Sequence, residues 1–176
     1  MKIFLNPGHS LKYDPGAIGA SGTKECEINA KIAKATAERL QAAGHTVIVY
    51  QQQKRLADVA EMANASGASL FVSIHCNSAV NKQANGTETW HYTGCPVGKK
   101  FATKIQLEII KAIGTRDRGT KSSRSLYVLR KTIMPAVLCE VAFISNKDEC
   151  AMLSQGEYQK KIGEAIAKGI IEALKK

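Results

Sequence analysis

Two histidines and two glutamates of this chain sit where side chains do chemistry more often than packing. His9 follows Pro7-Gly8 at the end of the apolar run KIFLN, and His75 closes the run SLFVSIH. Glu25 comes directly after a Gly-rich stretch, YDPGAIGASGTK, at the start of a helical pattern. Glu140 interrupts the otherwise apolar AVLCEVAF. Two imidazoles and a carboxylate are a standard donor set for catalytic zinc, with the fourth position left to water. A second, unligated carboxylate could then take the proton of that water. The chain has no HExxH helix, so such donors would have to converge from separated segments.

Each residue also has a plainer explanation. A loop histidine such as His9 can simply be solvated, and His75 can be a hydrogen-bonded core histidine. A glutamate in the first turn of a helix complements the macrodipole, which suits Glu25 and its neighbour Glu27 equally. Glu140 is hardest to explain away, because a carboxylate within an apolar strand is rarely buried without a partner. His45 and His91 read as structural.

The elements that would position these residues follow from periodicity. Residues 2–6 read as a strand. A helix then runs from Glu25 through Ile28, Ile32, Ala35 or Thr36, and Leu40, with Thr23 as its expected N-cap and Gly44 as its C′ glycine. HTVIVY is a strand, RLADVAEMANASGA a helix, and SLFVSIH a strand apolar enough to be buried on both faces. GTETWHY alternates and reads as an exposed or edge strand. VGKKFATKIQLEIIKAIG is a helix, SLYVLR and PAVLCEVAF are strands, and YQKKIGEAIAKGIIEALKK is an amphipathic helix. The order βαβαββαββα predicts an α/β fold: a mixed, mostly parallel twisted sheet of about six strands with helices on both faces. No repeat or linker divides the chain, so residues 1–176 are expected to form one domain. In such sheets, sites form outside the carboxyl ends of the strands, where His9 and His75 fall.

Composition narrows the function. At 176 residues, 44% hydrophobic and 23% charged, the chain has ordinary globular usage. No apolar run approaches the roughly 18–20 residues of a membrane span. MKIFL turns polar at Asn6, too early for a secretory signal, so synthesis in the cytoplasm is expected. Five cysteines, an odd number without a CxxC pair, argue against a disulfide framework or a thiolate metal cage. The net charge of +10 predicts attraction to polyanions, and no nucleic-acid motif accompanies it.

Taken together, NPGHS, DPGAIGASGTKECEIN, SLFVSIHCNSA, RGTK and PAVLCEVAFISN resemble the successive blocks of the zinc-dependent N-acetylmuramoyl-L-alanine amidases of the amidase-3 type, from about residue 3 to about residue 172. That resemblance implies zinc bound by His9, Glu25 and His75, with Glu27 a non-ligand neighbour, and Glu140 as the catalytic carboxylate. It also implies a peptidoglycan substrate on the extracellular side, cut at the amide between the lactyl group of N-acetylmuramic acid and L-alanine. The family often has Asp where this chain has Asn6 and Ala where it has Cys76, and neither difference touches a ligand. The basic charge would then hold the protein near anionic cell-wall polymers, as salt-sensitive lysis would show. Without a signal sequence, a phage or prophage endolysin is expected ahead of a secreted autolysin. Two other readings stay open. A non-catalytic wall-binding module would need no metal. A thiol hydrolase would use Cys76, although neighbouring strand residues point to opposite faces, so Cys76 and His75 pair poorly.

Overall fold

The computed structural model describes residues 1–175. Six strands form one sheet: β1 (Lys2–Pro7), β2 (Thr46–Val49), β3 (Leu70–Asn77), β4 (Thr87–Tyr92), β5 (Asp117–Ser123) and β6 (Ala136–Phe143). Their spatial order is β2-β1-β3-β6-β4-β5. All neighbours are parallel except β4, which runs antiparallel to β6. The sheet is therefore mixed and mostly parallel, as expected.

Helices cover both faces. On one lie α1 (Glu25–Ala42), α3 (Pro96–Ile113) and α6 (Gly156–Leu174). Their stripes Ile28, Ile32 and Leu40, Phe101, Ile105 and Ile109, and Ile162, Ile166 and Ile170 pack on Ile3, Leu5, Val72, Ile74, Cys139 and Val141. The other face is thinner. There α2 (Leu56–Ala65) and α4 (Tyr127–Lys131) bury Val59, Ala63, Val128 and Leu129 against Phe4, Phe71 and Leu138. Because strand side chains alternate, Phe71, Ser73 and His75 of β3 share this second face. So do Ala136, Leu138 and Glu140 of β6. Core packing at one end of the strands thus gives way to polar side chains at the other.

Three local expectations are corrected. SLYVLR is not a strand: most of it falls in α4, Tyr127–Lys131, and a short apolar run of this length does not by itself distinguish the two. The strand is instead the polar DRGTKSS, an edge held by backbone pairing with β4, with Gly119 at φ +78 near a register shift. GTETWHY is not an edge, since β4 lies between β6 and β5. Its polar residues are buried because they find partners; Thr89, for example, donates to Gln106 at 2.8 Å. Thr23 does not cap α1. Lys24 takes the N-cap position without a side-chain bond, and the first-turn N–H groups of Glu25 and Cys26 donate to Ala17 and Pro15 carbonyls of the Gly-rich loop at 3.0 and 3.1 Å. The loop itself is the cap. A short helix, α5 (Lys147–Leu153), was not foreseen; Asn146 caps it by accepting from Asp148 and Glu149 N–H groups at 3.1 Å each. Gly44, at φ +82, stands at the C′ position of α1 as expected.

Candidate active site

The site is built where β1 and β3, parallel neighbours, reach their carboxyl ends. Pairing continues one residue past β1, with Gly8 N–H donating to Ile74 O at 2.9 Å. The chain then turns at His9, whose φ of +63 is the one positive value at a non-glycine among the described residues. Such a conformation costs energy and persists only where the surroundings enforce it. It brings the His9 ring edge-on to His75, with centroids 5.1 Å apart at 84°. Gly8 makes this possible by having no side chain, since a Cβ there would fall 2.0 Å from His75 Cε1. Gly16 does the same beneath the second donor pair: its Cβ would lie 2.6 Å from Glu25 Oε2 and 2.8 Å from His9 Cδ2, at φ +73.

Glu25 enters from the N-terminus of α1 and is 3% exposed, whereas Glu27 faces solvent, which separates the two candidates. Its Oε1 lies 3.1 Å from His75 Nδ1 and 3.5 Å from His9 Nε2. The same oxygen accepts from Cys76 N–H at 3.1 Å and from Asn29 Nδ2 at 3.3 Å, and Oε2 accepts from Ala17 N–H at 2.9 Å. Burial pushes the carboxyl up, but the bond to His75 and the nearby imidazoles outweigh it and leave the group below its ordinary range. It is therefore a carboxylate. One donor atom from each of His9, Glu25 and His75 lies within 4.8 Å of the others. Two imidazoles and an ionised carboxylate around one point fit zinc by donor type and number.

Two residues that sequence reasoning passed over hold this group in place. Asp14 Oδ2 lies 2.7 Å from His9 Nδ1, so Nδ1 carries the proton and Nε2 turns its lone pair toward Glu25 and His75. A backbone bond from Gly16 and the contact with His9 keep Asp14 below the usual carboxylate range. The signal was present as an Asp-Pro-Gly turn five residues after His9. Asn29, one helical turn after Glu25, donates to Gly8 O at 3.2 Å as well as to Glu25. Asp14→Asn is expected to weaken zinc binding about 10- to 100-fold, the usual effect of losing such an orienting carboxylate. Competition with a chromogenic chelator measures this, and an unchanged affinity would show that Asp14 does not orient the ligand.

Cys76 lies on the opposite face of β3, in the larger core. Burial first, then the Glu25 carboxylate, raise its thiol well above the ordinary range, and its S–H donates to Asn29 Oδ1 at 3.5 Å. A protonated thiol pointing away from His75 is a poor nucleophile.

Glu140 stands in register with His75 on β3 and with Glu88 on β4, so the three side chains form a row across one face. Its Oε2 is buried and has no hydrogen-bond partner among the described residues. Burial, followed by the charges of Glu25 and Glu88, raises its carboxyl well above the usual range. Glu88, by contrast, is fully engaged. Oε1 accepts from Trp90 Nε1 at 3.2 Å, and Oε2 accepts from Arg118 Nε at 2.7 Å and Lys121 Nζ at 2.6 Å.

An α/β sheet with a His–Glu–His group at its carboxyl edge, and a partnerless carboxyl on the next strand, has the layout of a metal-dependent hydrolase. A family model described as N-acetylmuramoyl-L-alanine amidase matches residues 3–172, and the chain belongs to that family, Amidase_3. It is 36% identical over 174 residues to the N-acetylmuramoyl-L-alanine amidase LytC of Bacillus subtilis strain 168, covering 96% of this chain and 34% of that one. It is 36% identical over 182 residues to the endolysin of Bacillus phage SPP1, covering 98% of this chain and 65% of the other. This chain thus spans about a third of LytC. Among solved structures, N-acetylmuramoyl-L-alanine amidase AmiC2 of Nostoc punctiforme superimposes with a TM-score of 0.91 at 33% identity, covering 99% of this chain and 97% of that one.

Proposed function

We propose that this protein hydrolyses the amide bond between the lactyl group of N-acetylmuramic acid and L-alanine in peptidoglycan, with zinc held by His9, Glu25 and His75. The observation that carries this reading is the convergence of those three donors within 4.8 Å, beside the row that holds the unpartnered Glu140 carboxyl. Zinc would supply Lewis acidity toward water and toward the amide oxygen, and a positive charge offsetting the Glu25 carboxylate near Glu140.

The chain's own residues do the rest. Glu25 stays ionised because His75 and the Cys76 and Ala17 N–H groups surround it. Asp14 holds the His9 tautomer. Burial keeps Glu140 basic once it is ionised, and its carboxylate can accept the proton of the attacking water. Glu140 then returns that proton to the departing amine of L-alanine, which completes the hydrolysis. The wall is the site of action, and the charge of +10 favours residence near its anionic polymers. The relatives include both a bacterial amidase and a phage endolysin, so the fold serves either setting.

Digestion of purified peptidoglycan with and without chelator tests the reading. New L-alanyl amino termini with intact glycan, abolished by chelator and restored by zinc, are expected. Wall binding without new termini would overturn it in favour of a binding module. Turnover that survives chelator and falls to alkylation would transfer the chemistry to a thiol.

A further inference from the structure

The RGTK block supplies no member of the metal group, yet its two cations both pair with Glu88, the cross-strand neighbour of Glu140. Arg118 and Lys121 both donate to the same oxygen of Glu88, which is 5% exposed. One cation would neutralise one carboxylate, so the cluster carries a surplus positive charge. Lys121 is also braced by Trp90, its register partner on β4, with Nζ 5.3 Å from the ring centroid. An ammonium has three donors, and Glu88 takes one of them. The side chain is one-third exposed, so the remaining donors can reach solvent or a ligand. Arg118 is tied down further, to Asn85 O at 3.3 Å and over the Phe143 ring at 4.9 Å.

Position gives this charge its use. Glu88 is the direct cross-strand neighbour of Glu140. Adjacent strands are about 4.8 Å apart, so the Lys121 ammonium, beside the Glu88 carboxylate, lies on the order of 5–10 Å from the proton-transfer position. An extended peptide advances about 3.5 Å per residue. A group one or two residues beyond the scissile amide would therefore meet Lys121. We propose that Lys121, pre-positioned by Glu88 and Trp90, binds a carboxylate on the peptide arm of the substrate and favours stems whose residue after L-alanine keeps a free α-carboxylate over stems in which it is an amide. This inference rests on the amidase reading above. It makes Lys121 a specificity residue and Glu88 a positioning residue.

The test uses the zinc-loaded full chain and soluble glycan fragments bearing either L-alanyl-γ-D-glutamyl or L-alanyl-D-isoglutaminyl stems. The wild-type protein is expected to favour the carboxylate form about tenfold in kcat/KM, expressed in KM, as one charge-assisted hydrogen bond provides. Lys121→Met should erase that preference, bringing kcat/KM for the two stems together, and Lys121→Arg should keep most of it. Equal rates for the two stems with the wild-type protein would overturn the proposal. So would a Lys121→Met defect of the same size on both stems, which is what a purely structural lysine would give. Failure to cut either fragment would overturn the amidase reading itself and is thereby distinguishable.

Discussion

Glu140→Gln is expected to keep its zinc and to lose at least about 100-fold in kcat, the usual contribution of a positioned acid–base group. The substitution preserves shape and leaves His9, Glu25 and His75 untouched. It removes the capacity of the carboxyl to take up and release a proton, at a position where Oε2 is buried without a hydrogen-bond partner among the described residues. The same variant should show a stability signature in the metal-free protein. A carboxyl whose folded value lies above its unfolded one binds its proton more tightly in the folded state. Wild-type stability is then lost as pH rises from the unfolded carboxylate range through the folded value, and the glutamine variant lacks this loss. Denaturant unfolding at pH 5 and pH 8 should therefore show the advantage of Glu140→Gln growing with pH. An active variant with normal zinc content would sink the catalytic role. A stability difference independent of pH would show that the carboxyl is not held in its protonated form.

His75→Ala is expected to abolish both metal and activity. It removes one of three donors, and it strips Glu25 Oε1 of the 3.1 Å partner that keeps the buried carboxyl ionised. The remaining His9 and Glu25 cannot present three donors to one ion. Thermal unfolding separates this variant from Glu140→Gln. A metal at about a hundredfold excess over its Kd stabilises the folded state by about 2.7 kcal/mol. For a chain of this size that amounts to a rise in Tm of about 5–10 °C. The wild-type protein and Glu140→Gln should both show the rise, and His75→Ala should show none. Full zinc occupancy in purified His75→Ala would remove His75 from the ligand set.

These outcomes depend on features of unequal visibility. Periodicity is a local property, so the apolar runs of β1, β3 and β6 and the helical stripes of α1, α3 and α6 could be read directly. Local patterning failed where burial was bought with partners instead of apolar area. Thr87, Glu88 and Thr89 look solvent-facing in sequence, yet β4 is interior because each finds a hydrogen-bond partner there. It failed again at β5, which has no apolar pattern and exists through backbone pairing with β4.

The candidate site divides the same way. The sequence by itself determined which residue types could bind a metal, that His9 follows one strand and His75 lies near the carboxyl end of another (β3 in fact runs on to Asn77), that Glu140 lies within a strand, and which family the blocks resemble. The residues alone left Glu25 and Glu27 equal and the resemblance preferred Glu25, but only the tertiary structure gives the physical difference: the loop that caps α1 and the N–H of Cys76 turn one carboxylate inward and leave the other in water. Only it revealed Asp14 behind His9 and the Glu88 bracket beside Glu140. The physical reason is that convergence is set by strand order. β1, β3, β6 and β4 are neighbours in space though scattered along the chain, and pairing register places His75, Glu140 and Glu88 in one row that no sequence spacing records.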